Sequence, residues 1–321
     1  MEISMKIKYL IQNKYFVIPA LIIALSIISA NGFSNENMVV KPDFGGFITI
    51  DGNRIHYIQK GTGSDVLLVH GLPGSIEDWE DVIDLLAETY RVTAFDRPGF
   101  GASSEDNVRA TIEQNAETVI MLIKKLGLHN VVLVGHSYGG STILRVAIRD
   151  PEPVKAYIAI AAVGYPVKRP DFMLRLAALP YIGRALAFVS TPLFGKKMVA
   201  DGLKKAFFPN EAFLTENLIK SRQKSWLRLK VVSATAREEV NMNQCVEKSI
   251  PGYDQIKKPV FIVQGKEDRL VDPESAVKLH RAIKHSKLVM LEHTGHQVQF
   301  VHPDKVIEII HAAAFESNPN P

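Results

Sequence analysis

The chain has one cysteine in 321 residues, Cys245. A single cysteine cannot form an intramolecular disulfide, so no framework of that kind holds the fold. Nothing around Cys245 resembles a cysteine-enzyme signature, and a lone Cys reads as a small buried hydrophobe. Strong charge is also missing. Lys and Arg number 38 against 34 Asp and Glu, a net charge of +4 that is too mild to argue for nucleic acid as a partner. Metal-ligand spacings are absent, as are internal repeats and low-complexity tracts. No metal, organic cofactor or solenoid architecture is expected. What remains is a composition of 46% hydrophobic and 22% charged residues, that of a globular protein able to bury a core.

The longest apolar run stands at the N-terminus. Lys6, Lys8 and Lys14 precede about sixteen mostly apolar residues, Tyr15 to Ala30, and Ala30-Asn31-Gly32 supplies small residues before Phe33. This reads as a cleaved secretory signal, with an uncleaved membrane anchor as the alternative if Leu10 and Ile11 extend the run. Either way the lysines stay cytoplasmic and the body is exported: periplasmic, secreted, or anchored outside the cytoplasm. No cysteine lies near residue 30, which excludes a lipoprotein anchor.

Beyond a polar linker over 33–43, Gly46–Ile50 and Arg54–Ile58 flank Asp51-Gly52, a hairpin signal. Short apolar runs follow at Val66–Val69, Arg91–Phe95, Val131–Val134 and Ala156–Ala162, alternating with helical patterns. One helix is predicted from a Ser75 cap through Ala87, with Asp78 as a capping-box partner, and another from Thr111 to Leu126, stopped by Gly127. From about Gly164 to Lys257 strand patterns cease and the sequence is helical. Strands return at Val260–Val263 and Leu288–Leu291, with helices from Glu274 and Val306. The pattern predicts an α/β protein with a mostly parallel, doubly wound sheet of about eight strands and an inserted helical cap. The expected organisation is 1–32 signal or anchor, 33–163 first part of the core, 164–257 cap, 258–315 second part of the core, and 316–321 tail.

Right-handed crossovers would carry the C-terminal ends of the parallel strands to one edge of the sheet. Four loops leave that edge with distinctive residues. Gly135-His136-Ser137-Tyr138-Gly139 sits between a buried strand and a helix, where a sharp corner needs near side-chain-free neighbours and holds the serine hydroxyl out at a helix N-terminus. His70-Gly71-Leu72-Pro73-Gly74 could supply a backbone donor to a developing oxyanion. Leu72 is the candidate because Pro73 has no N–H, with the N–H of Tyr138 as the second donor. After the Val260 strand, Asp268 could orient a histidine, with Glu267 and Asp272 as local competitors. After the last strand, His293 and His296 are candidate general bases, and His296 is favoured because it follows a glycine at the strand-to-helix corner.

Together, His70-Gly71-X-Pro73-Gly74, Asp96-Arg97-Pro98-Gly99-Phe100-Gly101-X-Ser103, the Ser137 elbow, Gly265-X-X-Asp268 and Gly295-His296 resemble the α/β-hydrolase fold superfamily, in its serine-nucleophile, capped esterase- and lipase-like branch. The resemblance covers about residues 42–315. It implies Ser137 as nucleophile, His296 as general base and acid, Asp268 as orienting acid, and Leu72 and Tyr138 as oxyanion donors. It makes Asp96 to Ser103 a structural turn lining the floor of the site.

The expected activity is hydrolysis of a carboxylic ester, an acyl-lipid or a small ester, through an acyl-enzyme. A serine at the nucleophile position argues against haloalkane dehalogenases and epoxide hydrolases, which use aspartate there. Carbon–carbon bond hydrolases of aromatic degradation and cofactor-free haloperoxidases remain alternatives, as does a ligand receptor on a hydrolase scaffold. The cap carries 16 Lys and Arg against 8 Asp and Glu between Gly164 and Lys257. Its apolar residues include Phe172, Met173, Leu174, Leu176, Phe188, Phe194, Phe207, Phe208 and Trp226. A basic cap over an apolar pocket is expected, and residues 15–30 and the cap are the expected points of membrane association.

Overall fold

The computed structural model describes residues 45–106, 109–168, 171–179 and 182–316, leaving aside the side chains of 171–174 and 182. The expected leader at 15–30 and the side chains of Phe172, Met173 and Leu174 therefore lie outside the described residues. The eight predicted strands are all present: β1 Gly46–Ile50, β2 Asn53–Lys60, β3 Ser64–Val69, β4 Tyr90–Phe95, β5 Val131–His136, β6 Val154–Ile160, β7 Val260–Gly265 and β8 Ser286–Leu291. They form one sheet in the order β1-β2-β4-β3-β5-β6-β7-β8. The β1–β2 hairpin and the β2–β4 pair are antiparallel. Every later pair is parallel, from β3–β4 to β7–β8.

The side-chain alternation of the central strands feeds two cores. Val66 and Leu68 of β3 and Val132 and Val134 of β5 pack on one face, with α1 (Glu80–Leu86) and the C-terminal helix Pro303–Phe315. Leu67, Val69, Val131 and Leu133 pack on the other, against α2 (Ile112–Leu126) and α3 (Tyr138–Arg149). Full burial of each such side chain contributes about 1.5–3 kcal/mol, so both faces hold the central strands in register. Their C-terminal edge is thereby a rigid platform.

Local signals act as the sequence predicts, with one refinement. Thr111 caps α2 by accepting the N–H of Gln114, and Gly127 ends the helix at φ 59°. After Ser75 the chain first makes a 3-10 turn, Ile76–Trp79, before α1 begins. Asp78 accepts the Ser75 N–H at 3.2 Å.

Between β6 and β7 the chain leaves the sheet for five helices among the described residues. These are α4 Asp171–Ala178, α5 Ile182–Ser190, α6 Lys196–Phe207, α7 Glu216–Trp226 and α8 Leu229–Ser249. A π-helical turn, Thr191–Gly195, joins α5 directly to α6. The core then resumes with β7, α9 (Pro273–Ala282), β8, the short α10 (Val298–Val301) and α11 (Pro303–Phe315). No helix among the described residues is long and apolar enough to cross a membrane.

Candidate active site

Ser137 sits at the corner between β5 and α3 with φ 54° and ψ −115°, a backbone conformation that L-residues rarely adopt. Crowding requires the flanking glycines. A Cβ on Gly135 would run into the backbone of Gly139, and one on Gly139 into the backbone carbonyls of Val69 and His70. The corner is fixed on both sides: the Ser137 N–H donates to the Ile160 carbonyl at 2.8 Å, and the Ser141 hydroxyl donates to the Val163 carbonyl at 2.8 Å. Strain of this kind costs on the order of 1–3 kcal/mol and persists only where the surroundings over-determine it.

Asp268 and His296 meet at the ends of β7 and β8. Nδ1 of His296 lies 2.7 Å from Oδ2 of Asp268. The same carboxylate accepts the Leu270 and Val271 N–H groups at 2.7 and 3.0 Å and the Gln264 side-chain amide at 2.9 Å. Burial by itself would raise this acid. The opposing charge and hydrogen bond of His296, with the two backbone donors, outweigh it and hold the carboxyl below its ordinary range. The competing groups have other work. Glu267 accepts the Thr294 N–H, Asp272 caps α9 through the Glu274 N–H, and His293 is exposed.

Ser137 and His296 line one cavity of about 360 Å³, together with Gly71, Leu72 and His136. No hydrogen bond of the Ser137 hydroxyl is formed among the described residues; such contacts commonly tighten only around substrate. The Gly71-Leu72 loop lies against the elbow. A methyl on Gly71 would stand 3.0 Å from Nδ1 of His136 and 3.3 Å from Cβ of Ser137. Tyr138 is the first residue of α3, where backbone N–H groups lack intrahelical partners. The two N–H groups expected to face an oxyanion are thus carried by segments in contact. Among the described residues, no cluster of three or more His, Cys, Asp or Glu side chains could hold a metal ion.

Several residues support the site in roles the sequence did not announce. His136 is buried and pushed down to about 3 by burial and the neighbouring His296, so it is neutral. Its Nε2–H donates to the His296 carbonyl at 3.0 Å and pins that loop. His70 is likewise held near 3 by burial and by Arg97; its Nε2 accepts the Arg97 N–H at 2.9 Å. Arg97 is fully buried. Nη1 donates to both oxygens of Glu238 on α8 at 2.6 and 2.7 Å, Nη2 donates to the Gly71 carbonyl at 2.8 Å, and Asn115 donates to Glu238 at 2.7 Å. The guanidinium also lies 4.6 Å from the Tyr138 ring centre. The Asp96–Ser103 turn lies under the site. It contributes no side chain to the cavity wall and reaches the site from beneath, through Arg97 and the Gly71 carbonyl.

The cap closes the other side. Leu203, Ala206 and Phe207 of α6 face the cavity, and the His296 N–H donates to the Ala206 carbonyl at 3.1 Å. Arg222 of α7, also in the wall, lies 2.6 Å from Glu77 and 3.1 Å from Asp78. Burial raises the Asp78 carboxyl to about 6 although Arg222 opposes the shift.

An eight-stranded, mostly parallel sheet with a strained serine elbow at its C-terminal edge defines the class, and the family model for the alpha/beta hydrolase fold matches residues 66–303. The chain belongs to the α/β-hydrolase fold family. It is 30% identical over 273 residues to a Synechocystis sp. protein carrying a provisional non-heme chloroperoxidase assignment, covering 80% of this chain and 92% of that one. It is 26% identical over 268 residues to the 2-hydroxy-6-oxo-6-(2'-aminophenyl)hexa-2,4-dienoic acid hydrolase of Metapseudomonas resinovorans, covering 80% and 86%. An esterase structure from Exiguobacterium antarcticum superposes with a TM-score of 0.69 at 22% identity, covering 85% of this chain and all of that one, a likeness of fold.

Proposed function

We propose that the protein hydrolyses carboxylic esters, with Ser137 as nucleophile, His296 as general base and acid, and Asp268 as the group that orients and stabilises the imidazolium. The observation that carries this reading is the buried Asp268–His296 pair opening into the same cavity as the strained Ser137 elbow. Ser137 Oγ attacks the ester carbonyl as His296 Nε2 takes its proton. The tetrahedral oxyanion rests on the N–H groups of Leu72 and Tyr138. Collapse expels the alcohol, protonated by His296, and leaves an acyl-enzyme. Water, deprotonated by His296, attacks that ester, and the acid leaves as Ser137 recovers its proton. Leu203, Ala206, Phe207 and Phe300 give the cavity apolar walls suited to an acyl chain.

The test is a fluorophosphonate label followed by a substrate panel. Labelling of the wild type and its loss in Ser137→Ala support the serine nucleophile; labelling retained in the variant refutes it. A protein that never labels would be a receptor on this scaffold. The similarity to the M. resinovorans enzyme supports a second reading, carbon–carbon bond hydrolysis. A vinylogous diketone turned over faster than esters of graded chain length would select it. Peracid-dependent halogenation at the expense of ester turnover would select the haloperoxidase reading. The apolar run at 15–30 further supports an exported or membrane-anchored body. Recovery of the full chain in the cytosolic fraction alone would refute that placement.

A further inference from the structure

The cap helix that walls the cavity has a second apolar face, turned away from it. From residue 182 to 207 the chain is helical without a break, through α5, the π-turn and α6. Inward, Leu203, Ala206 and Phe207 are buried beside the catalytic cavity. Outward, Leu186, Val189, Leu193, Phe194 and Met198 are exposed by 36%, 53%, 69%, 59% and 70%. Their spacings of three, four, one and four residues place them on one stripe of a helix. Such a stripe normally faces a core. Five large apolar side chains held side by side in water mark an interaction surface rather than scattered exposure.

Charge identifies the partner. Lys196 and Lys197 stand within the stripe's own stretch of sequence, Lys204 follows on the same helix, and all three are exposed, while Lys205 reaches the cavity rim. The one acid between residues 182 and 210 is Asp201, which is paired with Lys197 at 2.5 Å. A second copy of the chain would set one lysine rim against another. An anionic lipid surface complements the rim and takes the apolar stripe between its acyl chains. We infer that the outward stripe Leu186–Met198 docks the cap on an anionic lipid bilayer. The same helix then has the bilayer on one side and the catalytic cavity on the other. The docking itself does not depend on the ester reading.

The test reads position rather than activity, so its failure is separable from failure of that reading. In the full chain with Cys245→Ser, an environment-sensitive fluorophore is placed at Leu193→Cys or, as control, at Asp304→Cys on α11. Phosphatidylcholine–phosphatidylglycerol vesicles are expected to blue-shift and brighten the label at 193. The effect should be smaller with phosphatidylcholine alone and should reverse in high salt, as screening weakens the lysine contacts. The label at 304 should not respond. With the label moved to Val189→Cys, the exposed substitutions Leu193→Ser, Phe194→Ser and Met198→Ser should abolish the shift. The inference is overturned by no response at 193, by equal responses at 193 and 304, which would mean tethering without docking, or by a shift on concentrating the protein without vesicles, which would make the partner a second copy.

Discussion

Glu238→Ala should be among the most destabilising single changes in the cap. Glu238 and Arg97 are both buried, their side chains 1% and 0% exposed, and meet through two hydrogen bonds of 2.6 and 2.7 Å. Truncating the glutamate leaves a guanidinium in a low-dielectric site with the Gly71 carbonyl as its one remaining acceptor among the described residues, and deprives the Asn115 amide of its Glu238 acceptor. Removing one partner of a buried pair costs about 3–5 kcal/mol, because the surviving charge keeps its desolvation penalty without compensation. Replacing both ends with apolar groups of similar volume, Arg97→Met with Glu238→Leu, should cost less than the two single changes together. Urea unfolding of Glu238→Ala, and of wild type, Arg97→Met, Glu238→Leu and the double variant for the cycle, is followed by the fluorescence of Trp79 and Trp226. The double variant should still lose turnover, since the Gly71 carbonyl loses its anchor and the adjacent Leu72 N–H its placement. Loss of one oxyanion donor sets a ceiling of about 10²–10³-fold on that effect. A Glu238→Ala protein within about 1 kcal/mol of wild type, or strictly additive changes, would refute the reasoning.

Other outcomes follow from the same geometry. Asp268→Asn should preserve the fold at neutral pH and lower turnover by up to about 10⁴-fold, measured with a saturating ester, because the amide no longer stabilises the imidazolium. Since the Asp268 carboxyl is held below its ordinary value, its ionised form contributes stability above the ordinary carboxylate range, and this is lost as pH falls through the depressed folded value. Wild type and Asp268→Asn should therefore converge in stability toward strongly acid pH; a constant gap in urea midpoints across the acid range would contradict this. Asp78 has the opposite sign. Its folded value of about 6 lies above the ordinary 3.8, so its neutral form is favoured, and the stability it contributes is complete below about 4 and lost as pH rises through 6. That rise corresponds to on the order of 3 kcal/mol, so wild type should lose ground to Asp78→Asn between pH 4 and 6.5, and parallel curves would count against the shift.

The sheet was legible because its signals are local. The Asp51-Gly52 turn, the four-residue apolar runs and the Gly127 stop each act within a few residues. The 3-10 start after Ser75 was not legible, since the Ser75–Asp78 capping box marks a helix start without fixing its type. The Ser137 elbow was readable because its glycines and serine stand within five consecutive residues, although part of the crowding that demands Gly139 comes from Val69 and His70 on a distant strand end. Arg97 stood inside a recognised turn, yet nothing in Asp96-Arg97-Pro98 announces a partner on the cap.

Pattern and spacing along the chain determined the eight strands, the inserted cap, and the loops that carry Ser137, Asp268 and His296. Tertiary structure alone decided that Asp268, rather than Glu267 or Asp272, meets His296, that Glu238 clamps Arg97 under the Gly71-Leu72 loop, and that the Leu186–Met198 stripe is exposed. The division is physical. Backbone sterics and hydrophobic periodicity are short-range and written in consecutive residues. The choice of a buried charge's partner depends on which groups packing brings within 3 Å, and a helix that is apolar on two sides acquires an inside and an outside only when the core claims one of them.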